Sequence, residues 1–212
     1  MASQSQAPDA AGGSRQAIIE AAVAEFAANG FEGTRIETVA QRSGYNKALI
    51  YRHFGDKAGL FRAALGSKFA HRAALQAKEP EAVGERLVYW FERTLADPHF
   101  MRLIIHEALG DQGGEVLDEA ARRRYYDAHI AGIAALQQRG AVSAELEAPY
   151  LVLAMIAATV FPSTFPQITR LVTGQAVDSP AFRQGWGRFL ETLSGQLQPS
   201  AAPAAESTGD ER

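Results

Sequence analysis

Apolar residues recur along this chain at the three-and-four spacing of helices, and no stretch alternates with the two-residue period of strands. Ile18, Ile19, Ala22, Val23 and Phe26 make one stripe over residues 14–29, which Gly30 is placed to end. Ile36, Val39, Ala40 and Ser43 line a short second helix that stops at Gly44. Asn46 can cap a third, in which Ile50 and Phe54 face inward at i and i+4. Asp56 opens a fourth, carried by Leu60, Phe61, Ala64 and Leu65 to about residue 77.

Beyond Pro80 the period continues. Val83, Leu87, Trp90, Phe91 and Thr94 predict a helix ending near Pro98, and further helices are expected over 98–109 and 115–139. The next spans 143–161 and is expected to break at Pro162 and Pro166, with a turn or two reaching Leu171. A last one covers 179–197. Residues 1–13 and 198–212, rich in Ala, Ser, Pro, Gly and Gln, are expected to be disordered tails. The fold class is all-α, about nine helices, with a first helical unit at 14–72 and a second at 80–197.

Composition narrows the class. The chain has 212 residues, 47% hydrophobic and 21% charged, enough for a substantial core. It has no cysteine, which excludes disulfides and thiolate metal sites. The longest mostly apolar run, residues 150–161, falls short of the ~20 residues a membrane span requires. The first residues carry no basic start followed by an apolar stretch, so a cytoplasmic location is expected. Net charge is -3, yet between Arg35 and Arg62 six Lys or Arg face only Glu37 and Asp56. A locally basic module on an acidic body suits phosphate binding with little non-specific adhesion.

The stretch GFEGTRIETVAQRSGYNKALIYRHFGDKAGLF carries G-x-x-x-T, A-x-x-x-G, I-Y-x-x-F and D-K-x-x-L in register. It resembles the signature of the tetracycline-repressor (TetR) family of bacterial regulators, over about residues 14–72. The resemblance implies a three-helix head whose helix-turn-helix motif occupies 35–54. It also implies a body that binds a small-molecule effector and dimerises, and a repressor that leaves a pseudo-palindromic operator when the effector binds. Tyr51 and His53 match family positions that clamp phosphates. Arg35 stands where many relatives carry a small hydroxyl residue that touches phosphate. Glu37 stands where members often carry a base-reading arginine.

The residues support matching roles. Lys47, Ala48, Tyr51 and Arg52 share the outward face of the third helix, beginning just after Asn46. A long cation near the start of a recognition helix can donate to guanine O6 and N7, which suits Lys47, while Ala48 and Leu49 can lie on thymine methyls. Thr34 and Glu37 fit a T-x-x-E capping box. Lys57 sits in the first turn of its helix, where the macrodipole disfavours a cation unless an anion such as a DNA phosphate occupies the helix end.

The body is less explicit. Leu151, Met155, Ala158 and Val160 on one helix, and Phe182, Trp186, Phe189, Leu190 and Leu193 on another, are expected to make a homodimer interface from about 145–161 and 179–197. Trp90, Arg102, His106, Tyr126, His129 and Phe161 are the candidate effector contacts, since a pocket needs polar groups among aromatic walls. Effector entry is expected to shift the fourth helix and so the spacing of the two heads. No catalytic residue, metal site or cofactor is expected: H-E-x-x-H, E-x-x-H, P-loop, G-x-G-x-x-G and G-x-S-x-G patterns are all missing. The alternative is an all-α small-molecule-binding protein or enzyme without DNA binding.

Overall fold

The computed structural model describes residues 10–110 and 116–199. Ten helices and no strand occur among these residues. The first, α1 (Ala10–Gly33), begins four residues before the sequence expectation, within the segment assigned to a tail. The rest of the two tails lies outside the described residues, apart from Gln198 and Pro199. Gly30 breaks α1 with φ 69° and ψ −179°, a conformation that L side chains rarely adopt. A Cβ at Gly30 would stand 2.9 Å from His106 Nδ1, so the break also lets a later helix approach.

The head is completed by α2 (Ile36–Ser43) and α3 (Lys47–Phe54), joined through Gly44 in the left-handed conformation. Asn46 caps α3, its side chain accepting from the Leu49 amide at 2.9 Å. Asp56 does the same for α4 (Lys57–Gln76), accepting from Gly59 N at 2.7 Å. A Cβ on Gly59 would overlap the Phe54 carbonyl oxygen, so only glycine lets the end of α3 lie this close to α4. Phe26, Phe31 and Phe61 cluster at the centre, with Phe26 and Phe61 edge to face at 4.9 Å.

The predicted capping box does not form. Arg35, not Thr34, occupies the N-cap of α2, without a side-chain bond. The break at Gly30 leaves its carbonyl without a helical donor, and the Thr34 hydroxyl fills that vacancy at 2.7 Å.

The body comprises α5 (Val83–Ala96), α6 (Pro98–Gly110), α7 (Glu119–Gln138), α8 (Ala148–Thr164), α9 (Pro166–Thr173) and α10 (Pro180–Gly195). Helix α7 starts after the expected residue 115, which lies outside the described residues. Pro162 does not end α8. Close to the helix terminus it removes a single backbone bond, and its own carbonyl accepts from Thr169 Oγ1 at 3.0 Å. The chain turns instead at Phe165–Pro166, where α9 leaves α8 at 90°. No single helix among the described residues is long and apolar enough to cross a membrane.

Head and body share a core. Phe100 and Leu103 of α6 pack with the buried residues of α1 and α4, and Phe69 of α4 meets Phe100 edge to face at 5.2 Å. Behind this, Leu87 and Phe91 of α5 pack under Phe182 and Leu190 of α10, while Ile133 and Leu136 of α7 pack against Leu151 and Val152 of α8. Helix α4 therefore runs unbroken from the recognition helix into the body.

Candidate nucleic-acid interface and effector cavity

Local signals at both ends of α3 fix which of its side chains point away from the core. Ile50 is buried, and Phe54 packs against the same cluster. Lys47, Ala48, Tyr51 and Arg52 are exposed, as the helical period requires. Leu49 is half-buried and packs on the head core, so it is less available than an exposed apolar residue. Asn46 is exposed but spends its side-chain oxygen on the cap.

The cations divide into held and unheld. Lys47 Nζ donates to Glu37 Oε1 at 2.7 Å across the turn. That hydrogen bond is the main cause that lowers the Glu37 carboxyl pKa and raises the Lys47 ammonium pKa. Glu37 is thus a partner of the recognition helix rather than a helix cap. Lys57 donates to the Glu32 carbonyl at 3.2 Å and lies 4.8 Å from the centre of the Phe31 ring. These contacts account for a cation at a helix start without any external anion. Arg42 is tied at 2.8 Å to the buried Glu25, which anchors α2 to α1. Arg35 and Arg52 are exposed and form no ion pair within 4.0 Å among the described residues.

His53 Nε2 lies 3.4 Å from Ser14 Oγ, so this ring also links α3 to α1. Arg15, which the sequence reading passed over, is exposed beside the end of α3, 5.4 Å from the Phe54 ring centre. Its only sequence signal is a cation in the first turns of α1.

The six candidate effector residues separate into four places. Trp90 and His129 line a cavity of about 50 Å³ enclosed by α4, α5, α7 and α8, together with Arg72, Arg86, Tyr125, Val152 and Met155. Tyr126 packs beside it, at 5.1 Å from Tyr125 and 6.2 Å from Phe69. Arg102 lines a separate groove with Arg170 and Asp178, between α6 and α9. His106 sits at the head–body joint against Gly30, and Phe161 is on the outer face of α8, 5.1 Å from Phe165.

Behind the cavity wall, Glu79 from the loop after α4 accepts from Trp90 Nε1 at 2.7 Å and lies 3.5 Å from Arg86 NH1 and 3.8 Å from His129 Nδ1. Burial, helped by Arg72 and then Arg86, lowers the His129 pKa to about 4, so the ring is neutral near pH 7. Burial also raises the Tyr125 and Tyr126 hydroxyl pKa values. Arg72 and Arg86 were not anticipated, because one arginine on a helix carries no sign in sequence of being buried. No group of three or more His, Cys, Asp or Glu that could hold a metal ion occurs among the described residues.

The residues expected at the dimer face divide between the inside and the outside of the subunit. Leu151, Phe182 and Leu190 are buried within the subunit, and Met155, Ala158 and Trp186 pack onto its inner clusters, because α5 lies under both α8 and α10. The outer apolar face is made instead by Tyr150, Leu153, Ala154, Ala157 and Phe161 of α8 and by Phe189 and Leu193 of α10. Leu153 is 64% exposed and Phe189 50%, large values for apolar side chains on neighbouring helices.

Comparison with known proteins finds matches over both the head and the body. Residues 18–64 match the profile of bacterial regulatory proteins of the tetR family, and residues 84–185 match that of tetracyclin repressor-like C-terminal domains. An HTH-type transcriptional repressor of Streptomyces coelicolor is 32% identical over 161 residues, 74% of this chain and 82% of that protein. The repressor AcnR of Corynebacterium glutamicum is 38% identical over 86 residues, 40% of this chain and 42% of its own. A crystal structure of a TetR-family regulator from Cytophaga hutchinsonii superposes with a TM-score of 0.63 at 16% identity, covering 92% of this chain and 100% of that one. Another, of a Streptomyces coelicolor protein, has a TM-score of 0.73 at 21% identity and covers 89% and 99%.

Proposed function

Because this chain belongs to the TetR family of transcriptional regulators, we propose that it is a repressor that binds its operator as a homodimer and is released by a small molecule held in the body. The observation that carries this reading is the outer face of α3, where Lys47, Ala48, Tyr51 and Arg52 stand free of the core on a helix capped at its start. Lys47, released from Glu37, reads a guanine edge, and Ala48 with the rim of Leu49 lies against thymine methyls. Tyr51, Arg52, Arg35, Lys57 and Arg15 take phosphates, and Asn46 and His53 hold the helix in register.

One head reads a few base pairs, so two are presented about one turn of DNA apart, ~34–36 Å. The outer faces of α8 and α10 supply the two-fold interface, in which small Ala154 and Ala157 permit close approach. The unit 14–72 acts as the DNA head and 80–197 as the effector and dimer unit. The effector enters the cavity around Trp90 and His129 and acts through α4, which touches both that cavity and the recognition helix. An effector shifts the balance only by preferring the DNA-free state.

The direct test is a gel shift on the DNA upstream of the protein's own gene over a range of salt. Specific binding with affinity falling steeply as salt rises is expected. A protein that binds no upstream fragment specifically in dilute buffer contradicts the reading.

A further inference from the structure

The cavity behind α8 holds more positive charge than it neutralises. Arg72, Arg86 and Arg122 are the buried arginines among the described residues. Arg122 is met by both oxygens of Glu107, at 2.6 and 2.7 Å, well paired. Arg86 lies 3.5 Å from Glu79 and gives its Nε to the Pro80 carbonyl at 3.1 Å. Arg72 differs. It is 6% exposed, its Nε has no hydrogen-bond partner, and it forms no ion pair within 4.0 Å among the described residues. Its guanidinium lies between the Trp90 and Phe100 rings, 4.8 and 4.5 Å from their centres.

Arginine cannot shed its proton in a protein, so burial cannot be relieved by neutralisation. Ring faces and the nearby Tyr125 hydroxyl offset part of the desolvation cost, but no counter-ion completes it. The nearby carboxylate, Glu79, is already engaged by Trp90 and Arg86. With His129 neutral, the cavity wall carries two guanidiniums and no carboxylate; Tyr125, His129 and Thr159 are its neutral polar side chains, and Leu87, Ile133, Val152, Met155, Ile156 and Val160 are apolar. A cationic effector would add to that excess, and a neutral one would leave it standing.

We propose that the cavity binds a small organic carboxylate, with its oxygens on Arg72 and its hydrocarbon or aromatic body along Trp90, Leu87, Val152, Met155 and Ile156. The proposal rests on the effector-released reading above and adds the chemical class of the effector. At about 50 Å³ the cavity admits a carboxylate and its first carbons. A longer body displaces Met155, an unbranched side chain that repacks readily. Arg72 lies on α4, fifteen residues after Lys57, so a ligand that grips it pulls on the helix against which α3 is seated. An acid whose oxygens pair with a buried guanidinium gains bidentate, charge-assisted hydrogen bonds that its amide or amine cannot make.

The test uses the full-length protein and ligands that differ only at the head group: 4-phenylbutyrate, 4-phenylbutanamide and 4-phenylbutylamine, with octanoate as an aliphatic acid and inorganic phosphate as a bare anion. Calorimetry and thermal denaturation are expected to show binding by the two acids, with the amide and amine weaker by at least about ten-fold and no binding by phosphate. Arg72→Gln is expected to lose acid binding by a similar factor. Equal binding of the amide or amine, unchanged acid binding in Arg72→Gln, or no binding by either acid overturns the proposal. Should Arg72→Gln fail to fold, the head-group series on the wild-type protein decides alone. DNA binding by the ligand-free wild-type protein, recorded on the same preparation, tests the operator reading separately.

Discussion

The Lys47 ammonium lies 2.7 Å from the Glu37 carboxylate, so the recognition helix offers its first cation already engaged across the turn. Both side chains are more than half exposed, so the pair is held loosely and can be exchanged for DNA. Glu37→Gln removes a negative charge from the DNA-facing side and frees Lys47. Operator affinity is expected to rise a few-fold, measured by fluorescence anisotropy at two salt concentrations. A fall in affinity instead means that Glu37 itself contacts a base.

Lys57 has two roles to separate. Lys57→Ala is expected to weaken binding to all sequences alike and to flatten the plot of log affinity against log salt by about 0.9, the loss of one phosphate contact. Losing the bond to the Glu32 carbonyl and the contact with Phe31 also costs on the order of 1 kcal/mol of stability, read by urea denaturation. A stability loss with an unchanged salt slope identifies the residue as structural alone.

Leu153 projects from the outer face of α8 and contributes little to the subunit's own core. Leu153→Glu is therefore expected to leave the subunit folded, with helical circular dichroism intact, while sedimentation finds monomers and operator binding is lost. A dimer that survives this change places the interface elsewhere.

His129 links the cavity to pH. Its pKa is held down to about 4, whereas the unfolded chain takes up that proton near the ordinary 6.5. The unfolded state thus gains protons first as pH falls. The contribution is full above pH 6.5, is lost on acidification towards 4, and levels off below. Solvent at the ring's edge limits the loss to on the order of 1–2 kcal/mol. His129→Leu removes this dependence, so wild-type stability measured against the variant is expected to decline between those pH values. A difference that stays flat contradicts the assignment.

The head was legible because its geometry is written in short-range signals. Gly44 at the turn, Asn46 and Asp56 as caps, and Ile50 with Phe54 at i and i+4 each act over four residues or fewer. Where a competitor acted locally, the same logic failed. Thr34 fits a capping box, but the open carbonyl at Gly30 is nearer. The body was less legible because periodicity gives a helix its faces without saying which neighbour each one meets. Arg102 and His106 share a stripe, yet one borders the α9 groove and the other packs on α1. Leu151 and Leu153 lie two residues apart, one buried under α5 and α7 and the other bare, a distinction that only packing decides.

The recognition claim meets its most direct measurement in a hydroxyl-radical footprint of the full-length protein on the DNA upstream of its gene. Two protected half-sites are expected on one face of the duplex, related by a dyad and centred about one helical turn or a multiple of it apart, and both are expected to vanish in Lys47→Ala, Tyr51→Ala. A single unpaired protection, or a footprint untouched by those substitutions, contradicts the assignment of α3 as the reading element of a two-fold dimer.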